Sequence, residues 1–202
     1  MAIFYGGIFL AGYLIGSISF AVLVAKTQGI DILHEGSGSP GATNVKRVLG
    51  NVCGNLVFCL DFLKGFLPVF IAKTHFQFHP SSINITCAVL LIGLAIGHSF
   101  SIFLKFCGGK SVAVIIGGLT VLMPSALILG LILWYFIFTI TRFVSLASLG
   151  LALALPLNAY LLAYPNEIIC LAFFLMIIIF FRHIPNIHRL LNGVENRFVG
   201  RK

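Results

Sequence analysis

A chain of 202 residues that is 59% hydrophobic, only 9% charged and has a mean hydropathy of +1.09 is not a soluble domain, because soluble chains carry roughly a quarter charged residues. Its net charge of +8 would suit nucleic acid, but the basic residues sit at the ends of apolar runs and form no stripe on a polar face, so no nucleic-acid partner is expected and the charge reads as membrane orientation. The five cysteines (Cys53, Cys59, Cys87, Cys107, Cys170) are odd in number, lack CxxC spacing and lie mostly in apolar runs. They read as small buried hydrophobes, which argues against disulfides and zinc.

In chain order, the first apolar run covers 3–25; it is too long, and lacks the positive flank, for a signal peptide. It is followed by Glu35-Gly-Ser-Gly-Ser-Pro-Gly-Ala-Thr-Asn-Val-Lys-Arg47, where three glycines permit turns and hydroxyl, amide and basic side chains collect. That mixture describes an anion site, phosphate above all, although the GxxxxGK[ST] order of a nucleotide loop is absent. The second run, 52–72, holds Asp61 and Lys64 on one helix face, where a carboxylate within the bilayer is expected to be paired. The third, 83–104, contains Gly97-His-Ser-Phe-Ser101 and leads into Phe106-Cys-Gly-Gly-Lys-Ser111. A Gly-Gly-Lys turn opening a helix offers free amides, a positive dipole end and an ammonium, which suits a phosphoryl group.

The next stretch, 112–141, spans 30 residues with Pro124-Ser125 near its middle, and reads either as one overlong helix or as two short ones. Charge decides. With two helices, Lys26, Lys46, Arg47, Lys105, Lys110, Arg142, Arg182, Arg189, Arg197, Arg201 and Lys202 all fall on one side, leaving Lys73 opposite and Lys64 within a span. The positive-inside rule therefore predicts an all-α integral membrane protein with seven transmembrane helices, some short or broken, N-terminus out and C-terminus cytoplasmic. The spans 143–163 and 168–181 complete the set, in one transmembrane domain over 1–202. Arg142, Ser145 and Ser148 recur at helical spacing and are expected on one helix face. The tail gathers His183, Asn186, Arg189 and Glu195 below the last span; an interfacial helix on anionic headgroups is the alternative to a binding site there.

Together these segments resemble the bacterial acyl-phosphate:glycerol-3-phosphate acyltransferase family. Tyr13-Leu-Ile-Gly-Ser17, Gly36–Asn44, Asp61-Phe-Leu-Lys-Gly65, Gly97-His98 with Phe106 and Gly108-Gly-Lys110, Arg142–Ser148, and the tail residues from His183 to Glu195 are similar to its motifs in order. The chain departs from the usual Asn, Pro, Lys, Gly and Thr of that family at Ser39, Ser101, Cys107, Ser111 and Val114.

The resemblance implies acyl transfer from acyl phosphate to the 1-hydroxyl of sn-glycerol 3-phosphate, giving 1-acyl-glycerol 3-phosphate and phosphate for phospholipid synthesis. It places the enzyme in the bacterial inner membrane, with its active site on the cytoplasmic face. It implies no cofactor and no metal, the bilayer and both substrates as partners, and admits the enzyme that makes acyl phosphate as a protein partner. The donor phosphate is assigned to Ser37, Gly38, Gly41, Thr43, Asn44, Gly108, Gly109 and Lys110. The acceptor is assigned to Arg47, Arg142, Ser145, His183, Asn186 and Arg189, with Asp61, Ser148 and Glu195 as structural support. His183, His98 and Ser37 are the candidates for catalysis, and the proton acceptor is left among His98, His183 and a phosphate oxygen of the donor. No His-x4-Asp pair or Gly-x-Ser-x-Gly elbow supports another acyl-transfer chemistry. A carrier of organic phosphates is the rival from another class, disfavoured because the chain has no internal repeat.

Overall fold

The structure, a computed structural model, describes residues 1–75 and 83–198; Arg201 and Lys202, counted above among the basic residues on one side, lie outside the described residues. All regular elements among these residues are helical. Contacts divide the chain into two units, Met1–Val121 and Leu122–Lys202, taken separately below.

The first unit contains α1 (Ala2–Ser17), α2 (Phe20–Thr27), α3 (Ala42–Leu49), α4 (Asn51–His75), α5 (Ile83–Ser99) and α6 (Val112–Leu122), which carries the chain to its boundary. The run read as one span over 3–25 is therefore two helices. Ser19 is the reason: its hydroxyl accepts a hydrogen bond from the Val22 amide and caps a new helix, as serine does at N-termini. The polar stretch 35–47 is likewise not all loop, since α3 begins at Ala42 and places Thr43, Asn44 and Arg47 on a helix.

α1 and α5 pack backbone to backbone through two glycine pairs. A Cβ on Gly16 would meet Leu94 O, and one on Gly97 would meet Tyr13 O; Gly12 and Gly93 are closed off by Leu90 O and Phe9 O. Each helix thus carries a small-xxx-small pair, the device that lets helices in lipid approach without intervening side chains. Gly65 against Val114 O and Gly117 against Phe62 O do the same for α4 and α6.

The second unit contains α7 (Pro124–Thr141), α8 (Val144–Leu161), α9 (Asn166–Arg182) and α10 (Ile184–Leu191). The stretch 112–141 is two helices, ending at Leu122 and restarting with Pro124 in the first turn, where its missing N–H costs nothing. Within the unit, α7 and α8 pack with Gly130 against Leu151 and Gly150 against Ile137, and the Asn158 amide donates to Ala126 O at 3.1 Å. Among the described residues, five helical segments are long and apolar enough to cross a membrane: Ala2–Thr27, Asn51–His75, Ile83–Leu104, Pro124–Thr141 and Val144–Leu161. α9 and α10 reach that length and hydropathy only together, as a pair bent by 59° at their junction. α6, with 11 residues, is about 16 Å long, half the hydrocarbon thickness.

Two expectations are corrected here. Arg142 does not share a helix face with Ser145 and Ser148, because it ends α7 in the left-handed conformation, φ 60°, and α8 starts only at Val144. Of the five cysteines only Cys87 is buried; Cys59 and Cys170 are exposed, since an apolar run in lipid needs no protein interior to cover its outer face, and Cys107 is exposed in the second glycine loop.

Replacing Gly16 or Gly97 with leucine should lower the thermal midpoint of the detergent-solubilised protein by several degrees or abolish folding, as overpacking a close contact costs about 1–3 kcal/mol or more. Gly6→Leu, where a Cβ meets nothing within 4 Å, should leave the midpoint unchanged.

Candidate functional site

The break between α1 and α2 leaves carbonyls that the helical ladder no longer satisfies. Lys64 of α4, 6% exposed, fills that gap: its Nζ donates to Gly16 O at 3.1 Å and Ile18 O at 2.6 Å. The same ammonium pairs with Asp61 Oδ1 at 3.1 Å, contacts His98 Nδ1 at 3.0 Å and lies 5.4 Å from the centre of the Phe20 ring, within cation–π range. The Ser101 hydroxyl satisfies a further carbonyl, Ser17 O, at 2.6 Å. The Tyr13 hydroxyl donates to Phe100 O at 2.9 Å, which fixes the start of the second glycine loop against α1.

The first glycine loop is shaped from within. Asn44, 2% exposed, accepts from the Ser37 amide at 2.8 Å and donates to Glu35 O at 2.9 Å and Ile32 O at 3.4 Å. Gly36 and Gly38 take positive φ of 59° and 68°, and a Cβ on Gly36 would strike Asn44 Oδ1. Ile32 anchors the loop in an apolar cluster with Ala21, Ala25, Val45 and Val57. The amides of Gly38 and Gly41 are spent on Glu35 O and Ser39 O. What remains directed outward is the exposed Ser37, the half-buried Thr43 and Arg47 on α3, one helical turn apart, and the first amides of α3, which the intrahelical ladder leaves over. The half-buried Arg47 guanidinium has no hydrogen bond or ion pair among the described residues.

The second loop is equally self-contained. The amides of Gly108 and Gly109 donate to Ser99 O at 3.1 Å and His98 O at 2.9 Å, so these glycines supply room rather than outward N–H groups. A Cβ on Gly109 would meet His98 Nε2 and sit 3.0 Å from Pro40 O. The two loops therefore meet at Gly109, with the imidazole of His98 between them and the half-buried Lys110 beside them.

Two departures from the family pattern are built into this junction. Ser111 takes a glycine-like φ of 60°; its hydroxyl donates to Ala95 O at 2.6 Å and pairs with Ser99 Oγ at 2.7 Å, hydrogen bonds that offset a strained backbone. Ser101 supplies the bond to Ser17 O that a proline could not make. Val114 is fully buried, whereas Cys107 and Ser39 make no contact that explains them.

In the second unit the tail closes on Glu195. Its Oε1 accepts from Ser145 Oγ at 2.8 Å and Asn186 Nδ2 at 2.7 Å, and its Oε2 from Arg189 Nε at 2.7 Å. The Phe198 amide donates to Arg142 O at 2.8 Å, and the Arg197 guanidinium lies 5.4 Å from the centre of the Phe143 ring. Burial pushes the Glu195 carboxyl up, but the hydrogen bonds from Asn186, Arg189 and Ser145 and the Arg189 charge outweigh it and hold the group below its ordinary value. His183, 2% exposed, donates through Nδ1 to Ile179 O at 2.8 Å, which makes Nε2 the nitrogen with the lone pair. Ser148 accepts from Trp134 Nε1 at 3.4 Å. The Arg142 side chain is exposed.

The sequence places Lys64 and Asp61 on one helix face and leaves the carboxylate's partner open between Lys64 and another cation. The structure gives it Lys64, and adds for that lysine a part in the helix break and a contact with His98 that the sequence does not show. An ammonium inside an apolar span is the signal that marks it.

Long apolar helices locked by glycine pairs define a multi-pass integral membrane protein. Residues 6–193 match the family described as glycerol-3-phosphate acyltransferase, and the chain belongs to that family. It is 41% identical to the glycerol-3-phosphate acyltransferase of Aquifex aeolicus (strain VF5), over 92% of this chain and 95% of the relative. It is 40% identical to that of Endomicrobium trichonymphae, over 92% and 91%. Among solved structures it is similar to the integral membrane glycerol 3-phosphate acyltransferase PlsY (YgiH). The TM-score is 0.86 for the glycerol 3-phosphate form, at 37% identity over 96% of both chains, and 0.83 for the lysophosphatidic acid form.

Because the Glu195 carboxyl is held below 4.5, its contribution to tail stability should be complete above the ordinary carboxylate range and lost as pH falls through its lowered folded value. The carboxyl carbon resonance of Glu195 should titrate with a midpoint under 4.5, and proteolysis between Asn192 and Phe198 should accelerate only below that point. Glu195→Gln should show the acid-like cleavage rate at neutral pH.

Proposed function

We propose that the chain transfers a fatty acyl group from acyl phosphate to the 1-hydroxyl of sn-glycerol 3-phosphate, at the cytoplasmic face of a bacterial inner membrane. The hydroxyl oxygen bonds to the acyl carbon, the bond from that carbon to the phosphate oxygen breaks, and inorganic phosphate leaves. The observation that carries this reading is the meeting of the two glycine loops around His98, with Arg47 of α3 making no hydrogen bond or ion pair among the described residues. Acyl phosphate is already an activated mixed anhydride, so positioning and charge stabilisation suffice without a covalent enzyme intermediate.

Ser37, Thr43 and Lys110 then hold the donor phosphate, while Gly38, Gly41, Asn44, Gly108 and Gly109 keep the loops in shape. The acceptor falls to Arg47, which can grip a phosphate through two parallel hydrogen bonds, and to Arg142, Ser145, His183, Asn186 and Arg189. Asp61, Ser148 and Glu195 keep their supporting roles. The hydroxyl proton goes to His98, to Nε2 of His183 or to a phosphate oxygen of the donor. In the seven-helix reading, within a single domain, α6 is the half-length helix that opens beneath the second loop.

Purified protein in proteoliposomes should release phosphate from acyl phosphate only when glycerol 3-phosphate is added, with lysophosphatidic acid formed in equal amount. Arg47→Ala and Lys110→Met should each reduce turnover about 100-fold. Entry of glycerol 3-phosphate without acylation would assign the protein to the carriers instead. Topology is checked through Cys107, the other four cysteines replaced by serine. An impermeant maleimide should label inverted vesicles and spare right-side-out ones; the reverse pattern refutes the cytoplasmic placement.

A further inference from the structure

Every neighbour of Lys64 Nζ other than the Phe20 ring is an acceptor: Gly16 O, Ile18 O, the Asp61 carboxylate and His98 Nδ1. An ammonium has only donors to offer, so the contact at 3.0 Å requires His98 Nδ1 to present its lone pair. The alternative, Nδ1–H donating to Asp61, fails on distance, because Asp61 Oδ1 lies 3.7 Å away, beyond a hydrogen bond, and the proton would point at the ammonium. A neutral imidazole held in this way carries its proton on Nε2. That nitrogen is turned to the loop junction, where a Cβ on Gly109 would touch it and Pro40 O lies alongside.

We propose that Lys64 is a positioning residue that fixes His98 as the Nε2–H form, so that His98 serves the acyl transfer as a hydrogen-bond donor at the loop junction and not as the base. The inference rests on the acyltransferase reading above and removes one of its three proton acceptors. His98 and His183 then have opposite forms for opposite reasons: an ammonium takes the Nδ1 lone pair of one, and a backbone carbonyl takes the Nδ1 proton of the other. A donor at His98 stabilises negative charge that builds on the acyl phosphate as the hydroxyl attacks, and it does so without a proton changing hands. Gly109 follows from the same geometry, since any side chain there would drive the imidazole from the junction.

Two measurements test this. In full-length protein with imidazole-¹⁵N histidine in nanodiscs, the His98 resonances (assigned by their loss in His98→Gln) should show a protonated Nε2 and a lone-pair Nδ1. In Asp61→Asn/Lys64→Met, which removes both charges together, the Nδ1–H form should gain population. The wild-type spectrum alone decides if that variant does not fold, and an Nδ1–H form in wild type overturns the proposal. In turnover, His98→Gln, whose amide N–H reaches the place of Nε2, should stay within about tenfold of wild type, while His98→Ala and His98→Asn should fall about 100-fold. Equal loss in all three would make His98 the base. Absence of lysophosphatidic acid from the wild-type reaction would instead refute the acyltransferase reading and leave the spectrum to stand on its own.

Discussion

The ammonium of Lys64 reconciles a broken helix with life in lipid. Where α1 stops and α2 begins, Gly16 and Ile18 turn carbonyls away from the ladder, and in hydrocarbon such groups are tolerable only when protein satisfies them. A cation does this more strongly than a neutral donor, but it carries a charge that must itself be balanced. Asp61, one turn earlier on the same helix, supplies that balance. The break, the ion pair and the orientation of His98 are therefore one arrangement, and the position of the second glycine loop against the first depends on it.

The loops show a division between shape and chemistry. Glycine-rich stretches invite the expectation of backbone amides aimed at an anion, yet here the amides of Gly38, Gly41, Gly108 and Gly109 close turns on nearby carbonyls. Glycine is needed at Gly36, Gly38, Gly108 and Gly109 because Asn44, His98 or neighbouring backbone occupies the space where a side chain would go, whereas a Cβ on Gly41 would meet nothing within 4 Å. The cationic and hydroxyl groups that face outward come from α3 and from the residue after the second turn.

Much of this was legible in the sequence, and the failures have physical causes. Span lengths, the division of 112–141 at Pro124 and the need of Asp61 for a cationic partner follow from hydropathy, proline chemistry and the cost of a lone charge in lipid. The break at Ser17–Ser19 was hidden because apolar residues continue through it, and hydropathy does not register a change of backbone direction. Arg142 was misplaced because helical spacing says nothing about a left-handed residue that ends one helix before the next begins. Asn44 was assigned to a ligand although it binds its own loop, a distinction that depends on contacts twelve residues apart. The C-terminal cluster was gathered correctly as a group of residues, but its organisation around the Glu195 carboxylate required the fold.

The tight crossing of α1 and α5 has a consequence for how the protein is made. Tyr13 and Phe100, which it brings together, are 87 positions apart, so α1 enters the membrane long before its partner has been synthesised. With no charged residue between Ala2 and Ser17, it can wait there as a solitary helix at little cost. α4 could not wait so easily with a lone lysine in its middle. By carrying Asp61 one turn ahead of Lys64 it arrives with its own counter-ion, and the pair that later mends the helix break first serves as the helix's passport into the bilayer.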